Sequence, residues 1–357
     1  MAVLIRSQGA ESAHDRLERV MSHWETELYQ KLPRPVCLEG DITLPDLGLS
    51  SESRRWAAKH CGSVLHNAAS LTFFGKERDR DPWLSNLTGT ANILEFCRQT
   101  GVRHLHYMST AYVCGTRPGT IFESELEHDC GFRNDYENCK FEAETLVRSA
   151  TFLDSLTVYR PATIVGDSRT GYTTTYHGLY SYLQVAWILR QYGKVQENGR
   201  RHIPVRLNVT GDETRNLIPV DWVSAVAAYL VLNPKHHGRT YQLTPLQAVT
   251  AREIEEAMSS HFGYYGPTFV GPDGLAKGDL NETERMFYDY VDRYAPYWAK
   301  EPIFDCSNTR SAAAHLPCPP IDAPCLHRLM DFAIQDRWGK SRTNSTERSR
   351  KRDAVPQ

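Results

Sequence analysis

Tyr136-Glu137-Asn138-Cys139-Lys140 sets a phenol and an ammonium four residues apart, so on a helix both lie on one face. A lysine ammonium beside a tyrosine favours the phenolate and lowers a pKa that is ordinarily about 10. Tyrosine then becomes an acid or base usable near neutral pH. The spacing alone also fits a half-buried tyrosine and a surface lysine, and the neighbouring sequence decides between the two. Upstream, Tyr107-Met108-Ser109-Thr110-Ala111-Tyr112-Val113 reads as a strand ending in two adjacent hydroxyls. Before it, Asn67-Ala68-Ala69 ends a strand with small residues that permit close backbone approach. After it, Val158 to Gly166 ends a third strand. In an α/β sheet, ligands bind at the carboxyl ends of strands.

Working outward, strands and helices alternate. Ala2 to Ile5 is a short apolar run. Ser12 with Asp15 signals a helix start, followed by Leu17, Val20, Met21, Trp24 and Leu28 at helical spacing. Pro35 to Leu38 and Ser63 to His66 are strand candidates. A helix is expected from about Asn86 to Thr100, closed by Gly101. Val102 to Met108 and Leu156 to Tyr159 continue the pattern. This alternation predicts an α/β fold: a Rossmann-like, doubly wound parallel sheet covered on both faces.

From Gly166 the rhythm loosens into aromatic-rich segments such as Tyr172 to Tyr182. Leu217 to Leu232 reads as strand then helix, and Arg239 to Leu243 as a strand. The expected organisation is a nucleotide-type domain over 1–165 and a smaller C-terminal substrate lobe over 166–338. Within the lobe, 216–245 returns to the sheet domain. Residues 339–357 are too polar and basic to pack and are expected to be a disordered tail.

The chain has 357 residues, 41% hydrophobic and 24% charged, ordinary for a globular protein. A net charge of −2 argues against a nucleic-acid partner or general attraction to anionic membranes. Nine cysteines without a CxxC pair fit free thiols rather than a disulfide framework or a metal site. No run approaches the roughly 20 apolar residues of a membrane span, and the first ten residues lack a secretory core. The expectation is a cytoplasmic protein with no metal. The alternating His104 and His106 and the pair His236-His237 read as strand and loop histidines.

Taken together these strings resemble the extended short-chain dehydrogenase/reductases over nearly the whole chain. Within them the sequence is most similar to the thioester reductase branch, which includes the male-sterility and fatty acyl reductase proteins. The strings are Gly40-Asp41-Ile42-Thr43, His66-Asn67-Ala68-Ala69 and the segment from Asn86 to Leu94. Ser109 to Val113, Tyr136 to Glu144, Tyr159 to Gly171 and Asn216 to Asp221 complete them.

The resemblance implies Thr110, Tyr136 and Lys140 as the catalytic set. Tyr136 would exchange a proton with the substrate carbonyl oxygen. Thr110 would hydrogen-bond that oxygen, and Lys140 would hold the nicotinamide ribose and lower the pKa of Tyr136. Ser109 faces away by strand alternation and takes a supporting role. Asp41 and Ile42 would meet the adenine ring, and Asn67, Ala68 and Ala69 would line the middle of the cofactor. Pro161 and Ile164 would flank the nicotinamide amide. Arg6, after the first strand, offers a fork suited to a 2′-phosphate, which makes NADPH the expected cofactor over NAD.

Two departures stand out. Cys139 replaces the serine usual before the lysine, with small expected consequence. The glycine-rich strand–turn–helix that normally receives the pyrophosphate is not found before Arg6, so the first β-α unit is expected to be missing from this chain. The leading expectation is an NADPH-dependent reductase of an acyl thioester, on coenzyme A or an acyl carrier protein, giving an aldehyde or alcohol. The alternatives are an NAD-dependent epimerase, dehydratase or hydroxysteroid-type dehydrogenase, and a non-catalytic fragment or binding protein.

Overall fold

The computed structural model describes residues 1–127, 129–196 and 199–340. The chain packs into two compact units. Among the described residues, one comprises 1–117, 124–160 and 233–241; the other comprises 118–123, 161–232 and 242–340. The expected tail lies, from residue 341, outside the described residues.

The first unit alternates strand and helix as its sequence predicts. Its elements are β1 (Ala2–Ile5), α1 (Ala13–Leu28), β2 (Val36–Glu39), α2 (Ser51–His60), β3 (Ser63–His66) and α3 (Gly89–Thr100). They continue with β4 (His104–Met108), α4 (Asp135–Arg148), β5 (Ser155–Pro161) and β6 (Thr240–Leu243), whose first two residues belong to this unit. Ser12 and Asp15 close a reciprocal capping box on α1, and Gly101, at φ +76°, ends α3. Before α3 the chain makes a π-helical turn over Leu84–Thr88, so the regular helix starts later than Asn86.

Strands β6, β5, β4 and β3 form one sheet in that order, and β3, β4 and β5 run parallel. Strands β1 and β2 form a separate parallel pair. No ladder joins β1 to β3 among the described residues, so the parallel sheet of this unit stands in two pieces. Leu105, Tyr107, Val158, Ile93, Phe96, Ala143 and Val147 share one buried core between the sheet and helices α3 and α4. Full burial of a leucine such as Leu105 contributes about 1.5–3 kcal/mol. The periodic residues of α1 divide differently from expectation. Ala13 and Leu17 are buried, whereas Val20, Trp24 and Leu28, spaced one turn apart, form an exposed apolar stripe.

The second unit is mainly helical. Helices Leu179–Tyr192, Ala251–Phe262 and Ala323–Gln335 share a core with buried Leu183, Val205, Leu326, Leu329 and Met330. The expected strand-then-helix appears as Leu217–Pro219, which pairs in parallel with Thr163–Val165, and Val220–Leu232. The Gly263-Tyr264-Tyr265-Gly266 segment follows a helix and pairs with Arg201–His202. It therefore leads from helix to strand, opposite in order to a phosphate-binding turn. Among the described residues no helix is long and apolar enough to cross a membrane.

Candidate active site

The carboxyl end of β4 and the first two turns of α4 bring the catalytic candidates together. Asn134 caps α4 by accepting the Glu137 N–H at 2.9 Å, which fixes the start of the helix one residue before Tyr136's turn. Tyr136, Lys140 and Glu144 then follow at four-residue intervals down one face of α4. Beyond Met108, Thr110 leaves the strand in extended geometry and its hydroxyl accepts the Tyr112 N–H at 3.3 Å, capping a short 3-10 turn over Ala111–Cys114.

Thr110 and Tyr136 are hydrogen-bonded side chain to side chain. Burial pushes the Tyr136 phenol above its ordinary value, and the Glu137 charge pushes the same way, while the Thr110 hydroxyl opposes them. The expectation that Lys140 lowers this pKa is therefore not met by this arrangement. The physical reason lies in where the ammonium points. Lys140 Nζ donates to the Met108 carbonyl oxygen at 2.7 Å and sits 4.5 Å above the Tyr107 ring centroid. Burial lowers Lys140 to about 8, while the Glu144 charge works in the opposite direction. Near neutral pH the site thus holds a neutral phenol beside a charged lysine.

Cys139, the departure from serine, is buried; its thiol donates to the Tyr136 carbonyl oxygen at 3.2 Å and lies 3.4 Å from Asn86 Nδ2. Burial lifts its pKa to about 11, so it stays a thiol. Asn86 also braces the backbone of Ser70, accepting its N–H at 2.7 Å and donating to its carbonyl at 3.0 Å. Further along that loop, the Tyr136 N–H donates to the Phe73 carbonyl at 3.2 Å and the Gly75 N–H to Asp135 Oδ2 at 2.9 Å. A Cβ at Gly75 would meet the Asp81 carbonyl oxygen at 2.3 Å, so glycine is required for this close approach.

The residues assigned to the cofactor divide into groups. Asn67, Ala68 and Ala69 are exposed at the carboxyl end of β3. Arg6 Nη1 meets Asp41 Oδ2 at 3.2 Å, with the arginine side chain 58% exposed. Asp41 in turn accepts the Thr43 N–H at 2.9 Å and hydroxyl at 2.8 Å. Ile42 accepts from Asn92 Nδ2 at 2.8 Å through its carbonyl, and its side chain abuts Gly89, where a Cβ would come within 2.8 Å. Arg6, Asp41 and Ile42 thus form one neighbourhood, and Thr110, Tyr136 and Lys140 another. Pro161 and Ile164 belong to the second unit, where Ile164 pairs with Ile218.

The donor set fits a dinucleotide: a solvent-facing guanidinium suits a phosphate, and an ammonium with a phenol suits ribose hydroxyls. Sequence reasoning gave no role to Glu144, Arg160 or His66. His66 is buried, pairs with the Thr90 hydroxyl at 3.0 Å and is pulled down to about 3, mainly by burial. Glu144 was visible as the next step of the Tyr136–Lys140 spacing. The Arg160 contact, from a different strand, had no local signal.

The male sterility protein family matches residues 1–227. A nonribosomal peptide synthetase of Aspergillus flavus is 25% identical over 279 residues, which are 73% of this chain and 25% of that protein. A putative fatty acyl-CoA reductase of Drosophila melanogaster is 31% identical over 118 residues, 31% of this chain and 22% of the relative. The chain thus spans about a quarter of the length of these curated relatives. Among solved structures, the terminal R domain from the myxalamid PKS-NRPS pathway is similar with a TM-score of 0.73 and 26% identity, covering 94% of this chain and 84% of that one. A UDP-glucose 4-epimerase of Bifidobacterium longum, at 17% identity and a TM-score of 0.61, shares the fold. With its Rossmann-like strand order and with most of its length matched, this chain belongs to the male sterility protein family and carries its NAD(P)-binding domain.

Proposed function

We propose that this chain is an NADPH-dependent reductase acting on an acyl thioester, carried by coenzyme A or by a carrier protein. The observation that carries the reading is the Thr110–Tyr136 hydroxyl pair beside a charged, buried Lys140. When bound, NADPH supplies the hydride. Thr110 and Tyr136 present two hydroxyl donors to one acceptor oxygen, the arrangement that stabilises negative charge growing on a carbonyl oxygen under attack. Tyr136, its pKa raised further by burial, is protonated near neutral pH, so its phenol starts as a proton donor, the role that carbonyl reduction asks of it. Lys140, held by Met108, keeps its positive charge within the same site and offers its remaining N–H groups to ribose hydroxyls.

Hydride addition to the thioester carbon, protonation of oxygen and cleavage of the C–S bond give an aldehyde and a free thiol. A second hydride and proton give the alcohol. The thioester substrate class is supported by the relatives, which include fatty acyl-CoA reductases and nonribosomal peptide synthetases. Preference for NADPH is supported by the exposed Arg6 guanidinium.

The test is NADPH oxidation followed at 340 nm by the purified protein with acyl-CoA thioesters of increasing chain length and with the corresponding aldehydes. Cofactor consumption with appearance of free thiol supports the reading. Absence of consumption with every thioester and aldehyde, under conditions where NADPH binds, rejects it.

A further inference from the structure

We propose that Ser109, Glu144 and Arg160 are positioning residues that lock the end of β4 onto α4 and so hold Thr110 in register with the Tyr136–Lys140 face. The inference rests on the reductase reading for its catalytic consequence, but its geometry stands without it.

Three consecutive residues at the end of β4 are each tied to the same face of α4. The Met108 carbonyl accepts from Lys140 Nζ at 2.7 Å, the Ser109 hydroxyl donates to Glu144 Oε2 at 2.6 Å, and Thr110 bonds Tyr136. Strand alternation turns the Ser109 side chain away from that of Thr110, yet the structure shows it reaching the same helix two turns further on. Its backbone N–H also donates to the Tyr159 carbonyl at 2.7 Å, which extends the pairing of β4 with β5 past Met108.

Glu144 is fully buried and gathers the rest of the clamp. Arg160, 1% exposed, reaches it through Nη2 at 2.6 Å and Nε at 3.1 Å, and anchors its other end on the Glu125 carbonyl at 2.6 Å. Arg148 reaches it through Nη2 at 2.7 Å and Nε at 2.9 Å. Burial pushes the Glu144 carboxyl up, but Arg160, Arg148 and Ser109 outweigh it and hold the group ionised. Replacing a buried charge cluster by apolar side chains is often neutral or stabilising, so stability alone gives little reason for one here. What such a cluster supplies is direction. Every lone pair of Glu144 is committed, so α4 cannot slide along β4 without breaking several charge-assisted bonds. The Glu144 charge also acts on Lys140, one turn away, favouring its ammonium form.

The discriminating variant is Ser109→Ala, which deletes one hydroxyl and leaves Glu144 paired to both arginines. In the acyl-CoA assay kcat is expected to fall by roughly tenfold or more, with KM and NADPH affinity changed less than about twofold, and Ser109→Thr, which restores the hydroxyl, is expected to recover part of the loss. A purely structural role would lower Tm without this kcat-against-KM split, and that result overturns the proposal. Should the unaltered protein reduce no thioester or aldehyde, the reductase reading has failed, and amide hydrogen exchange decides the inference by itself. Exchange confined to faster rates in residues 108–114 and 136–144 of Ser109→Ala supports the clamp; unchanged exchange there overturns it.

Discussion

Lys140 is bonded through its ammonium to the Met108 carbonyl oxygen at 2.7 Å, so the lysine of the Tyr136–Lys140 pair is anchored to the neighbouring strand and not to its tyrosine. That bond joins the helix bearing the phenol to the strand end bearing the hydroxyls. Near neutral pH the site offers a neutral phenol, its pKa raised by burial, and a charged amine.

The first consequence concerns pH. Burial lowers Lys140 to about 8, below its ordinary range. A lowered amine pKa means the ammonium is present below about 8 and lost as pH rises through that value. If binding and charge stabilisation use the ammonium, kcat/KM falls on the alkaline side with a midpoint near 8. Lys140→Met should remove that limb, weaken NADPH binding and leave the Met108 carbonyl without its partner, at a cost of about 1–3 kcal/mol in stability. A pH–rate profile paired with a cofactor titration checks both, and an unchanged alkaline limb in the variant would refute the assignment.

Tyr136→Phe is the second test. It removes the proton donor while keeping the ring that faces Phe73, with centroids 6.1 Å apart. The expected result is a fall in kcat of ~10²–10⁴ with NADPH affinity altered only slightly, measured by single-turnover kinetics beside fluorescence titration. Retention of most activity would move the proton donor elsewhere.

These residues illustrate how much of the molecule was legible in its sequence. Strand Ser63–His66, the Ser12–Asp15 cap and the Gly101 stop were readable because local periodicity and capping chemistry set them. The same holds for the Tyr136–Lys140 face, since helix geometry alone places residues four apart together. The destination of the Lys140 ammonium was not legible, because it depends on how far the β4 end lies from α4. Arg160 on Glu144 joins a strand to a helix across 16 residues, a tertiary fact without a local signal. The exposed stripe Val20–Trp24–Leu28 has core-like spacing, and only packing shows that it meets solvent.

Arg6 gives a third prediction. Its guanidinium is 58% exposed and touches Asp41 at 3.2 Å, an exposed ion pair of the kind that contributes about 0–1 kcal/mol. Arg6→Ala should therefore scarcely change Tm. If the guanidinium meets a 2′-phosphate, the variant loses charge-assisted bonds worth about 1.5–3 kcal/mol, and its NADPH affinity falls roughly ten- to a hundredfold. Affinity for NADH should stay where it was. Parallel titrations with the two cofactors decide the matter, and equal losses for both would mean that Arg6 acts on the fold of the loop and not on the phosphate.

In the second unit, Glu255 lies in the helix Ala251–Phe262 with its Oε1 buried and without a hydrogen-bond partner. Burial, then the neighbouring Glu256 charge, raise its pKa to about 7, while Arg200 pulls it down. The sign follows from proton counting. Between the unfolded value near 4.5 and about 7 the folded protein holds the proton more tightly, so stability is full at the acid end and declines as pH rises through about 7. Glu255→Gln replaces the penalised carboxylate by a neutral amide of the same shape. Allowing for solvent screening of this partly exposed group, the variant should gain about 1–2 kcal/mol at pH 8 and little at pH 5. Thermal melts at the two pH values should show a rise of roughly 2–4 °C in Tm at pH 8 alone. An equal gain at both would trace the effect to packing and not to the carboxylate charge.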